Sequence, residues 1–427
     1  MENIFISQIK KSEFFKNVLI LASGRGLAMI IPFIIAPILS RLYTPEDFGV
    51  LAIYVMCVQV LSSVAAFTYE YAIILPFKNK DVFSLIYLCG IIVICYSLLL
   101  FIIIIIFHEY IVDLLGNPII ADWLYFIPLN VLFIGFFNVL NYYYTRQKEF
   151  SVVAKSNVLK SIGLSGVQLC FGVITVGAGG LILGQLASVL FGNTQMIRKF
   201  LRNIRIITKV SSKNLYSVAH TYLNFPLYFL GNVLINNISL NVINLIINSI
   251  YSTKTLGYYS YSYKYLSLPS ALIGDAIGQV YFEKISCSLR NGLPIQKIFI
   301  LTLKRLLLIG IPIFGILFFI VEDLFAFVFG EVWRVAGEYA KIIIPLILIR
   351  FIAIPLSLTY IALERHKLAL FMQILLIIFT LLPAVYSYVC GWEIRNYLVL
   401  NTIVLSLFYL VMLSVAYKIS FVIKSNL

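Results

Sequence analysis

Four charged side chains stand where a charge is hardest to keep: Arg25, Lys264, Asp275 and Arg350 all lie deep inside apolar runs. At bilayer depth each costs at least ~2.5–3.5 kcal/mol on insertion scales, so each needs an opposite charge, a hydrated cavity or a bound ligand. Buried cations of this kind hold phosphate groups well, and a buried acid pairs with them or takes up a proton or Na⁺. Lys160, Lys304, Arg305 and Lys341 also fall in apolar runs, but the last three are near enough to run ends to snorkel. Glu70 and Glu364 stand close to run ends.

Spacing groups the polar residues further. Lys264 and Asp275 are eleven residues apart, about three turns of a continuous helix, and so share a face with Tyr261 and Gln279. Asn237, Asn241, Asn244 and Asn248 form one stripe on a helix, and Gln59, Ser63 and Glu70 read the same way on another. Such stripes either glue helices together or line a wet cavity. No catalytic residue is expected: a P-loop, a GxSxG elbow and an HExxH are all missing, and the histidines are His108, His220 and His366. The six cysteines include no CxxC and lie mostly in apolar runs, so neither a metal site nor a cofactor is expected.

The elements that must position these residues are membrane helices. The chain has 427 residues, of which 61% are hydrophobic and 12% charged, with a mean hydropathy of +0.99. That is too apolar for a water-facing surface, and about 20 apolar residues suffice to cross the hydrocarbon core. Apolar runs fall at 18–40, 48–69, 83–107, 123–144, 157–176, 181–197, 225–248, 257–282, 298–320, 339–361, 368–389 and 396–417. The fold class expected is an all-α polytopic membrane protein with about twelve transmembrane helices. The first run is broken by Arg25, Pro32 and Pro37 and is read as a span, not a cleaved signal.

A formal charge of +14 would fit nucleic acid, but the charges are parcelled out between apolar runs, as topology requires. With a cytoplasmic N-terminus, the outside loops carry only Arg41, Lys254, Arg334 and Arg395, and the other loop cations lie inside. Both termini are therefore expected in the cytoplasm. The run Arg198, Lys199, Arg202, Arg205, Lys209 and Lys213 separates six spans from six and would rest on anionic membrane lipids. This gives an N-terminal lobe at 1–197, a basic linker at 198–220 and a C-terminal lobe at 221–427.

An internal repeat supports the division. Tyr43-Thr44-Pro45-Glu46-Asp47-Phe48-Gly49 is echoed by Tyr251-Ser252-Thr253-Lys254-Thr255-Leu256-Gly257, and Arg146 and Lys148 by Arg365 and Lys367. Halves of six spans enter from the same side, as in transporters built from parallel repeats. Pro32, Pro37 and Pro226 are expected to kink the helices that open each half.

Three stretches resemble the polysaccharide-export branch of the multidrug/oligosaccharidyl-lipid/polysaccharide (MOP) exporter superfamily, which includes O-antigen flippases. The first is Ser40-Arg41-Leu42-Tyr43-Thr44-Pro45-Glu46-Asp47-Phe48-Gly49 with Tyr69-Glu70-Tyr71-Ala72-Ile73-Ile74-Leu75-Pro76. The second is Gly257-Tyr258-Tyr259-Ser260 with Leu268-Pro269-Ser270, Ile273-Gly274 and Ile277-Gly278-Gln279-Val280. The third is Phe329-Gly330-Glu331-Val332-Trp333 with Ala336-Gly337 and Pro355-Leu356-Ser357.

The resemblance implies two six-helix lobes around a central cavity lined chiefly by spans one, two, seven and eight. It implies a flippase of the bacterial inner membrane, carrying undecaprenyl-pyrophosphate-linked oligosaccharide from the cytoplasmic to the periplasmic leaflet, with H⁺ or Na⁺ coupling and other polysaccharide-assembly proteins as partners. Lys264 falls where relatives carry a basic residue and Glu70 where they carry Glu, whereas Arg25 and Asp275 replace small or uncharged residues. On this reading Arg25 and Lys264 attract the pyrophosphate, and Asn237, Asn241, Asn244, Tyr261 and Gln279 contact sugar. Glu70, Asp275 and Arg350 serve ion coupling or charge pairing. A cation or drug antiporter of the same superfamily would favour an acidic, aromatic cavity instead. A membrane-bound polymerase or ligase would need a large outside loop, and the longest ones here, 108–122 and 321–338, are short and acidic.

Overall fold

The computed structural model describes residues 24, 26–174, 177–204, 211–363 and 365–421. They form helices throughout: α1 (Gly26–Leu42), α2 (Pro45–Ser62), α3 (Asn79–Ile106), α4 (His108–Leu115), α5 (Ala121–Leu124), α6 (Ile127–Arg146), α7 (Phe150–Val173), α8 (Ala178–Ile204) and α9 (Ser212–Thr221). The second half continues with α10 (Leu230–Ile250), α11 (Thr253–Leu266), α12 (Asp275–Arg290), α13 (Gln296–Phe329), α14 (Arg334–Ala362), α15 (His366–Cys390) and α16 (Ile394–Ile419).

Among the described residues eight helices are long and apolar enough to cross a membrane unaided, or nine if Pro118–Leu124 and α6, bent by 53°, count as one. The other three expected spans correspond to α1, α7 and the α11–α12 pair. Lys155, Lys160, Asn157, Gln168 and four serines dilute α7, and α11–α12 is interrupted. The chain is a multi-pass membrane protein.

The described chain packs as two units, Met1–Ile238 and Ser239–Leu427. The division falls inside α10, so the described part of the 198–220 connection packs with the first unit. There the Tyr69 hydroxyl donates to the Ala219 carbonyl (3.1 Å), and the rings of Tyr71 and Phe229 lie 5.1 Å apart.

The repeat read from the sequence has a local cause. Thr44 caps α2 in a reciprocal box with Asp47, and the Ser252 hydroxyl accepts from the Thr255 amide to cap α11. A second equivalence is finer. The Glu149 amide donates to the Tyr144 carbonyl and the Arg365 amide to the Tyr360 carbonyl (2.9 and 2.8 Å). The hydroxyls of Tyr144 and Tyr360 then reach the carbonyls of Met196 and Met412 (2.9 and 2.6 Å), each bond spanning 52 residues. This register sets α6 against α14, α7 against α15 and α8 against α16. It puts Glu149 opposite Arg365, so the echo of Arg146 and Lys148 in Arg365 and Lys367 is out of register by a few residues.

At one end of the second unit the acids of 321–338 are engaged by cations. Arg334 meets Asp323 (2.7 Å) and Glu331, Lys341 meets Glu322 (2.9 Å), and Arg395 meets Glu338. These pairs are partly exposed, so each adds little to stability. Close approach does more: a Cβ on Gly337 would sit 2.7 Å from the Glu322 backbone, which seats α14 tightly on α13.

Candidate functional site

In the second unit, the site is built by a break in the helix that carries Lys264. The chain turns at Ser267, and Pro269, which lacks an amide hydrogen, leads into a π-helical turn over Ser270–Gly274. Both flanks are fixed to α14. The Ser262 hydroxyl on α11 donates to the Ala336 carbonyl (2.6 Å), and the hydroxyls of Tyr281 on α12 and Thr359 lie 2.6 Å apart. Between these anchors a cavity of roughly 210 Å³ remains, walled by Tyr263, Ser267, Ser270, Asp275 and Arg350 with apolar residues of α14.

Arg350 is the cation of this cavity. It donates to the Tyr263 hydroxyl, and its guanidinium carbon lies 5.5 Å from the Tyr263 ring and 5.4 Å from the Tyr409 ring. Ring faces stabilise a desolvated guanidinium by up to about 2 kcal/mol, which offsets part of its cost at this depth. Asp275 is exposed on the cavity wall, and the Ser270 hydroxyl is buried without a hydrogen-bond partner among the described residues. The arrangement can hold a charge pair and offer hydroxyls to a polar guest.

The π-turn corrects one sequence expectation. Lys264 and Asp275 share a face only on an uninterrupted α-helix, and the turn at Ser267 with the wider π-turn breaks that register. Lys264 is exposed, its ammonium 5.5 Å from the Tyr265 ring centre. Gln279, one turn beyond Asp275, is also exposed. Tyr261 is 2% exposed and packs among Tyr265, Phe329 and Trp333, with a ring separation of 4.0 Å to Trp333. Its ring is committed to packing.

The asparagine stripe runs along α10. The Asn237 amide donates to its own helix at the Val233 carbonyl (2.9 Å), Asn241 is buried, Asn244 is half-buried, and Asn248 accepts from the Thr253 hydroxyl (2.8 Å). Pro226, expected to kink this span, lies in a second π-helical turn, Phe225–Phe229. Arg25 lies outside the described residues.

Glu70 is not on a helix with Gln59 and Ser63. The α-helix ends at Ser62, Phe67 and Thr68 adopt left-handed conformations (φ 50° and 62°), and Glu70 follows in the 3-10 turn Tyr69–Ile74. Left-handed backbone is costly for any bulky or β-branched residue, and Phe67 and Thr68 in a row mark stored strain. Glu70 is 3% exposed, with Oε2 lacking a hydrogen-bond partner among the described residues. The connection is tied down by Arg146, which donates to the Pro76 carbonyl (2.6 Å).

Burial pushes the Glu70 carboxyl from its ordinary 4.5 up to about 7, against a smaller opposing backbone hydrogen bond. The folded state therefore holds this proton where the unfolded chain has lost it. Stability should fall as pH rises from about 4.5 to 7, by ~3 kcal/mol in total. Melting of the solubilised protein should show this slope in wild type and lose it in Glu70→Gln; an equal slope in both would place the titration elsewhere.

Sequence reading missed the aromatic cage of Arg350 and the strained turn before Glu70. The alternating tyrosines Tyr259, Tyr261, Tyr263 and Tyr265 were a signal for the cage. Among the described residues no group of His, Cys, Asp or Glu is placed to hold a metal ion.

Comparison with known proteins places this geometry. No curated protein sequence matches the chain. The fold is similar to an inward-facing multidrug resistance MATE family transporter of the MOP superfamily (TM-score 0.68, 12% identity, 93% of each chain covered). It is also similar to the lipid II flippase MurJ in an inward closed conformation (TM-score 0.69, 17% identity, 92% of this chain and 87% of that one). A third similar structure is a MOP superfamily transporter from Pyrococcus furiosus described by a reverse polarity of its binding pocket (TM-score 0.58, 11% identity, 96% and 97%). At these identities the likeness shows the fold. The family model for polysaccharide biosynthesis proteins matches residues 38–338, which is well over half of the sequence. The chain belongs to the polysaccharide biosynthesis protein family and has the fold of MOP superfamily transporters.

Proposed function

We propose that the protein is a flippase that moves undecaprenyl-pyrophosphate-linked oligosaccharide, an O-antigen or related repeat unit, from the cytoplasmic to the periplasmic leaflet by alternating access. The observation that carries this reading is the polysaccharide biosynthesis family match over 38–338. A cargo with a dianionic head needs cations at bilayer depth. Lys264 is exposed with no carboxylate partner among the described residues, and Arg25 falls within the first apolar run of the sequence. In this reading both attract the pyrophosphate, while Asn237, Asn241, Asn244 and Gln279 offer hydrogen bonds to sugar. Tyr261 reaches sugar only if the aromatic cluster around it opens. Glu70 and Asp275 are the acids for H⁺ or Na⁺ coupling, with Arg350 as a pairing group.

Expression in a strain lacking its O-antigen flippase tests the reading. The expected result is restored surface polysaccharide; lipid-linked intermediates still trapped at the inner leaflet, at normal protein abundance, would oppose it.

The likeness to MATE transporters keeps a second reading, export of small cations or drugs in exchange for ions. It requires acids to dominate the cavity, and Arg350 on the wall of the second unit's cavity weighs against it. Raised tolerance to lipophilic cations on expression, without complementation, would favour it.

Placement in the inner membrane with both termini in the cytoplasm belongs to the same proposal, as do contacts of the basic connection with anionic lipids and of the flippase with other polysaccharide-assembly proteins. Reporter fusions at Asn203, Leu289 and Ser425 should read cytoplasm and those at Asn117 and Gly330 periplasm. A periplasmic signal at Asn203 would overturn the arrangement.

A further inference from the structure

The repeat register singles out a residue that the flippase reading leaves unused. In the second unit Ala353 and Phe408 belong to an apolar core cluster against which Leu376 packs. The register set by the bonds of Tyr144 and Tyr360 makes their counterparts Phe137, Lys160 and Gly192. The first unit therefore carries an amine where the second carries leucine.

The site is fitted to that amine. Gly192 leaves the room for its stem: a Cβ there would fall 2.3 Å from Lys160 Cγ. The ammonium lies 4.2 Å from the Phe137 ring centre. Lys160, Phe137 and Gly192 each fall near the middle of their helices, so three separate elements place the group at mid-depth. Its side chain is half-buried, neither sealed off nor exposed.

Among the described residues, α1, α6, α7 and α8 contain no Asp or Glu. The titratable groups on the surrounding helices are Lys155 and Cys170 on α7, Tyr142, Tyr143, Tyr144 and Arg146 on α6, Arg198, Lys199 and Arg202 on α8, and Arg41 on α1. All stand at least about a turn along their helices from the Lys160 level. The contact that the ammonium does make is with the Phe137 ring.

A fixed charge at this depth costs at least ~2.5–3.5 kcal/mol, and the second unit shows that this fold fills the position with leucine. Among basic side chains lysine gives up its proton where arginine does not. We propose that Lys160 is a proton-binding group of the first unit, protonated in one stage of the transport cycle and neutral in another. In the release step an N–H bond breaks, the electron pair stays on Nζ and the proton passes to water; uptake is the reverse, with no other reactant. The Phe137 face stabilises the charged form.

The test uses the full-length protein with Lys160→Leu, Lys160→Gln and Lys160→Arg, each checked for folding by melting. Potentiometric titration of the solubilised protein between pH 6 and 9, without cargo, should show wild type releasing about one proton more than any of the three variants. In proteoliposomes with lipid-linked oligosaccharide, flipping by wild type should respond to an imposed pH gradient, and the variants should lose that response. Equal proton release by wild type and the folded variants would overturn the proposal. So would Lys160→Arg retaining the gradient response, which would make the residue a fixed cation. The titration needs no cargo, so it still decides the matter if the chain carries something else.

Discussion

Lys264→Ala should abolish flipping while leaving a correctly inserted protein. The side chain is exposed and its ammonium lies near the Tyr265 ring with no ion pair among the described residues, so little of the fold depends on it. A charge-assisted contact to phosphate is worth about 1.5–3 kcal/mol, so losing one lowers capture by roughly one to two orders of magnitude. Arg25→Ala should behave alike, and Lys264→Arg should keep part of the activity, because the charge remains but the donor geometry changes. The measurement is complementation of a flippase-null strain together with membrane abundance. Full complementation by both alanine variants at normal abundance would dismiss the basic-cavity mechanism.

Asp275→Asn should also be severe, and its rescue separates two roles. Asp275 and Arg350 wall the same cavity, and the Arg350 guanidinium also lies near the rings of Tyr263 and Tyr409. If the acid serves mainly to balance this cation, Asp275→Asn leaves an uncompensated charge, for which breaking a buried pair sets an upper scale of ~3–5 kcal/mol. Abundance and flipping should then both fall, and Asp275→Asn combined with Arg350→Gln should recover most of the loss. If Asp275 instead binds a proton or Na⁺, no arginine substitution will restore function, and flipping by Asp275→Asn will ignore the ion gradient. The charge-balance account expects rescue; failure of the double variant with Arg350, and of one with Arg25, would rule it out.

The helical architecture was legible because its cause is written in composition: long apolar runs with cations between them leave few alternatives in lipid. The caps of α2 and α11 were legible for a similar reason, since Thr44 and Ser252 precede their helices at the spacing capping requires. Faces were read less well. Hydrophobic periodicity assumes an unbroken α-helix, and it cannot see that Pro269 opens a π-turn or that Phe67 and Thr68 turn the chain before Glu70. The packing of Tyr261 against Trp333 was not legible either, because the two residues are far apart in sequence. Lys160 was visible as an intramembrane charge, but its significance needed the register of the two halves, which two tyrosine hydroxyls disclose and the sequence echoes do not.

The flippase reading is tested most directly in inverted membrane vesicles, whose outer face is the cytoplasmic leaflet. Vesicles with and without the protein would receive a defined undecaprenyl-pyrophosphate oligosaccharide in that leaflet, and its arrival in the lumenal leaflet would be followed with a sugar-specific probe. The account predicts protein-dependent transfer that wild type performs and Lys264→Ala does not. Transfer no faster than in protein-free vesicles, while the same preparation exchanges a lipophilic cation for protons, would contradict it.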